Sequence, residues 1–70
     1  MNNATTTKTA SALVEGDVII VPQTNLRAEV LLFWPALNAP ETHLEVAALG
    51  PRGGQIALRL ELDQELTVVS

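Results

Sequence analysis

The 70-residue chain has no cysteine and a single histidine, and these two shortages close most common routes to catalysis and metal binding. Without cysteine there is no disulfide, no thiolate metal site and no thiol nucleophile. Small secreted domains lean on disulfides, so an intracellular, cytoplasmic setting is expected. No apolar run reaches the ~18–20 residues needed to span a bilayer. The segment Met1 to Ala12 is polar and rich in threonine, without the apolar stretch of a secretion signal. Aromatic residues are limited to Phe33 and Trp34. Positive charge is also scarce: Lys8, Arg27, Arg52 and Arg59 stand against eight carboxylates, a net charge of −4. Affinity for nucleic acid grows with the number of phosphates neutralised, so direct nucleic-acid binding is not the expected role.

What is present is a series of short apolar runs separated by turn residues. Residues 1 to 12 have no periodic apolar face and are expected to form a flexible arm, although threonine also favours an extended backbone and a short edge strand around Thr9 to Leu13 is the alternative. The folded domain is expected over residues 13 to 70. Val18 to Val21 is a β-branched run between Gly16-Asp17 and Pro22, which predicts a strand. Arg27 to Trp34, stopped by Pro35, predicts a second. Thr42 to Leu49 alternates with period two, placing Leu44, Val46 and Ala48 on one face. Gly50-Pro51-Arg52-Gly53-Gly54 has the chemistry of a hairpin turn. In Gln55 to Leu62, Ile56, Leu58, Leu60 and Leu62 alternate with polar or small residues, so a strand is expected over the helix that propensity alone would permit. Asp63 to Glu65 is a tight turn before a last strand, Leu66 to Val69.

These elements predict an all-β fold, a small five-stranded barrel whose closure hides the strand edges. A domain of this size has a stability on the order of ~3–5 kcal/mol.

The phrase Leu13-Val14-Glu15-Gly16-Asp17-Val18-Ile19-Ile20-Val21, together with the Asp63-Gln64-Glu65 link before a short final strand, resembles small barrels of the Src-homology-3-like (SH3-like) type over roughly residues 13 to 69. The resemblance implies a small barrel fold and singles out no family within it. Members that take proline-rich peptides or methyl-lysine present several clustered aromatics, whereas Phe33 and Trp34 are neighbours in sequence and point to opposite faces of a strand. The size and the threonine-rich start are also similar to accessory proteins of bacteria or their phages.

Candidate chemistry is sparse. His43 and Glu45 share a strand face near Glu41, but one imidazole with carboxylates falls short of a closed metal site, and a solvated polar face is expected. Ser11 and Ser70 lie where nothing holds a nucleophile in place. The Gly50 to Gly54 segment lacks the lysine, hydroxyl residue and following helix of a phosphate-binding loop. Neither an enzyme nor a cofactor is expected.

The informative segment is the second strand. Strict alternation puts Ala28, Val30, Leu32 and Trp34 on one face and Arg27, Glu29, Leu31 and Phe33 on the other. A small barrel has one interior, so either Leu31 and Phe33 point outward and join Ile19 or Val21 in an exposed apolar patch, or Val30 and Trp34 take that place. The expected function is a non-catalytic protein-interaction module acting through Leu31, Phe33, Trp34, Ile19 and Val21, by self-association as a homo-oligomer or by docking on another protein. A nucleic-acid-associated regulator using Lys8, Arg27, Arg52 and Arg59 is the alternative, and a structural subunit of a larger assembly is a third reading.

Overall fold

The structure is a computed structural model describing residues 4–69. Its elements are β1 (Thr5–Thr9), a single 3-10 turn (Ala10–Ala12), β2 (Val18–Ile20), β3 (Arg27–Pro35), β4 (His43–Leu49), β5 (Gln55–Glu61) and β6 (Glu65–Val69). The strands form one antiparallel sheet in the order β1-β6-β2-β3-β4-β5. The all-β expectation holds, and β2 to β6 lie within one residue of the segments that apolar runs and alternation predict. The five-stranded closed barrel does not hold: there are six strands and the sheet is open, with β1 and β5 at its two edges. Among the described residues no helix is long and apolar enough to cross a membrane.

The sixth strand comes from the expected flexible arm, residues 1 to 12. Residues 1 to 3 lie outside the described residues, but Thr5–Thr9 pairs with β6 along its whole length. The side chains there, Thr-Thr-Thr-Lys-Thr, carry no apolar alternation, so backbone ladder bonds and one ion pair hold the strand. Lys8 Nζ donates to Asp17 Oδ2 at 3.0 Å. The same oxygen accepts the Val14 N–H at 3.0 Å, so a single carboxylate ties β1 to the turn before β2. Gly16 shapes that turn, because its φ of +94° is one that only glycine adopts without cost.

Burial raises the Asp17 pKa, but the Val14 N–H and the Lys8 ammonium outweigh it and leave the carboxyl below its ordinary value. A depressed carboxylate stabilises the fold above the unfolded-state value, about 3.9, and that contribution is lost as pH falls through the folded-state value. Asp17→Ala should therefore cost about 1–3 kcal/mol at pH 7, in the range of a hydrogen-bonded charged group. Urea denaturation at pH 7 and at pH 3 checks this: the gap between wild type and variant should narrow in acid, and an equal gap at both values would contradict it.

One sheet has one inner face, so it curls over that face to make a core. Ala10, Leu13, Ile19, Val21, Ala28, Val30, Leu44, Val46, Ala48, Leu60, Leu66 and Val68 are buried together, with Ile56, Leu58 and Leu62 packed at the margin. The predicted inward sets of β4 and β5 are all present. No polar residue is buried among those described.

Candidate interaction surface

The decisive local feature is a bulge in β3. Val30 pairs with Ala48, but the next pair is Leu32 with Ala47, which leaves Leu31 as an extra residue. An inserted residue reverses the side-chain parity of everything that follows it. Before the bulge, Ala28 and Val30 face the core at 2% and 1% exposure. After it, Phe33 lies opposite the buried Val46, while Leu32 and Trp34 lie opposite Ala47 and Glu45 on the outer face. Neither strict alternation survives, because strict alternation assumes that no residue is inserted.

The expected site residues separate accordingly. Ile19 and Val21 are 0% and 5% exposed; they belong to the core and offer nothing to a partner. Leu31 is half-buried in the bulge. Phe33 sits on the inner face, yet remains 38% exposed, because β2 pairs only with Arg27 to Glu29 and leaves the far half of β3 uncovered. Trp34 is 43% exposed on the outer face. Two residues absent from the expected set join it: Leu32 at 54% and Leu37 at 87%. Leu37 was findable, since it sits between Pro35 and Pro40 in a predicted loop, although its neighbour Ala36 is fully buried. Leu32 was not, since its outward direction depends on the bulge.

The β3–β4 hairpin therefore ends in an apolar crown made of Leu32 and Trp34, with Phe33 on the rim and Leu37 in the loop. Beside Leu32, the cross-strand partners Ala47 and Ala57 continue the same row and are small enough to leave it flat. Beside Trp34 the row turns polar: its indole Nε1 donates to Glu45 Oε1 at 3.1 Å, and Arg59 is the next residue across. The bond fixes the ring's direction without hiding its face. An apolar centre with a polar rim is how protein-contacting surfaces are commonly built.

No family model, curated protein or solved structure matches the chain. The site is therefore read from its own chemistry.

Other candidates do not converge. His43 Nδ1 bonds the Thr42 hydroxyl at 2.8 Å and lies across from Glu61, while Glu45 is occupied by Trp34. Among the described residues no three of His, Asp and Glu are grouped to hold a metal. The four cations are dispersed: Lys8 is paired with Asp17, Arg27 begins β3, Arg52 tips the turn and Arg59 stands in mid β5. They form no continuous track for a phosphate backbone.

Proposed function

We propose that the protein is a non-catalytic interaction module that engages a partner protein through the outer apolar end of the β3–β4 hairpin. The observation that carries this reading is the joint exposure of Leu32 and Trp34 on one face, where each costs solvation and neither contributes to the core. Trp34 supplies a broad rigid surface with one polar handle, the residue type that most often dominates protein contacts.

The test is capture from the native cell with the wild-type chain and a Leu32→Ser/Trp34→Ser variant side by side. A protein retained by the wild type and lost by the variant, in numbers that repeat with purified components, is the expected result. Equal capture by both would overturn the assignment of this face.

A further inference from the structure

An open sheet exposes unpaired backbone along its edges, and natural proteins block such edges with inward charges, bulges or proline. The β1 edge and the half of β3 that β2 leaves uncovered are blocked in that way. On β1, Lys8 pairs with the inward Leu66 and so carries its charge on the inner side. On the half of β3 beyond β2, the bulge at Leu31 distorts the strand and Pro35 supplies no donor. Edge strand β5 has neither device: its seven residues contain no proline, lysine or bulge.

The phase of the β4–β5 ladder shows which groups are free. Gly50 N–H bonds Gly54 C=O at 2.8 Å at one end, and Leu62 N–H bonds Thr42 C=O at 2.9 Å at the other. Antiparallel pairs alternate between bonded and non-bonded, so Ile56, Leu58 and Leu60 turn their backbone to β4, while Gln55, Ala57, Arg59 and Glu61 turn theirs outward. Glu61 is capped within the chain: its C=O accepts the Gln64 N–H at 3.0 Å and its N–H reaches Gln64 Oε1 at 3.3 Å. Among the described residues nothing else bonds this side of Gln55, Ala57 or Arg59.

We propose that a second copy of this chain adds at the β5 edge, antiparallel, with the two-fold axis at Ala57. Only this register uses all three free residues and no capped one: Gln55 meets Arg59, Ala57 meets Ala57, and Arg59 meets Gln55. A shift of one pair toward the turn would need the capped Glu61, and a shift of two would set Arg59 against Arg59. In the chosen register the guanidinium faces an amide side chain, and the smallest side chain occupies the axis. On the inner face Ile56 lies opposite the partner's Leu58, and Leu58 opposite the partner's Ile56. Beside Ile56 a mainly apolar concavity of about 350 Å³ opens between β5 and Leu26, whereas the concavity of about 250 Å³ beside Leu58 is lined mostly by polar groups of Gln23, Arg59 and Gln64. Strand β5 thus carries the free backbone groups and the apolar pair that its own edge requires, with no like charges opposed, which makes the contact self-complementary.

This inference does not depend on Leu32 or Trp34, and the experiment separates the two surfaces although Ala57 ends the row that Leu32 begins. Sedimentation equilibrium of the full chain should show a reversible dimer of the 7.5 kDa protein, with the Gln55, Ala57 and Arg59 amides gaining hydrogen-exchange protection as concentration rises. Ala57 is exposed, so Ala57→Arg leaves the core intact and sets like charges at the axis; it should weaken the dimer at least about a hundredfold. The Leu32→Ser/Trp34→Ser variant should dimerise like the wild type. A wild-type monomer at high micromolar concentration overturns the proposal. So does a dimer that survives Ala57→Arg, or one whose three edge amides exchange at the same rate at every concentration; the amide measurement decides even if the variant folds poorly.

Discussion

Replacing Ile19 by alanine is expected to remove most of the stability of the domain. Ile19 is 0% exposed, paired with Ala28 on one side and Val68 on the other, at the junction of the two halves of the sheet. Removing three carbons there forfeits their transfer free energy and leaves a cavity, a loss of about 2–5 kcal/mol. A domain of this size has on the order of ~3–5 kcal/mol to lose. Urea denaturation should therefore show a midpoint near zero denaturant, or a chain partly unfolded in buffer. A midpoint close to that of the wild type would mean that the site collapses around the smaller side chain.

Trp34→Ala should give the opposite signature. Its side chain lies outside the core at 43% exposure, with one hydrogen bond to the Glu45 carboxylate, so stability should fall by only about 1–2 kcal/mol. Binding to the captured partner should fall by about 30- to 1,000-fold, the range of a central aromatic contact worth about 2–4 kcal/mol. Titration calorimetry with the purified partner measures it. An affinity within threefold of the wild type would remove Trp34 from the contact, whatever the fate of Leu32.

The contrast between these two residues shows what was legible before the structure. The strands β4 and β5 were readable because Leu44-Val46-Ala48 and Ile56-Leu58-Leu60 alternate without interruption, and a half-buried strand permits no other arrangement. Ile19 and Val21 were misassigned as surface because Val18 to Val21 is apolar at every position, so period alone cannot say which of its side chains are inside. The excess of apolar residues in β3 was visible as a conflict, but its resolution was not. A one-residue insertion at Leu31 is set by how β3 packs against β4, and no local signal marks it. Strand β1 was missed for a related reason: Thr5 to Thr9 has no apolar face, and its place depends on a ladder with β6 and a contact from Lys8 to Asp17. Those partners are distant in sequence, and propensity is silent about them. The open sheet follows from the same omission, since counting only the apolar runs leaves one strand out.

The pairing of β1 with β6 also orders events in time. Thr5–Thr9 is synthesised before every other strand, and its sole ladder partner, Glu65–Val69, is synthesised after them. The meander from β2 to β5 pairs through neighbouring hairpins, whereas β6 reaches β2 and β1 only across most of the chain, the pairing with the largest loop-closure entropy in the fold. Until that step, β6 itself presents a bare edge. In a chain made from its N-terminus, the threonine strand therefore has no ladder partner until β6 has emerged.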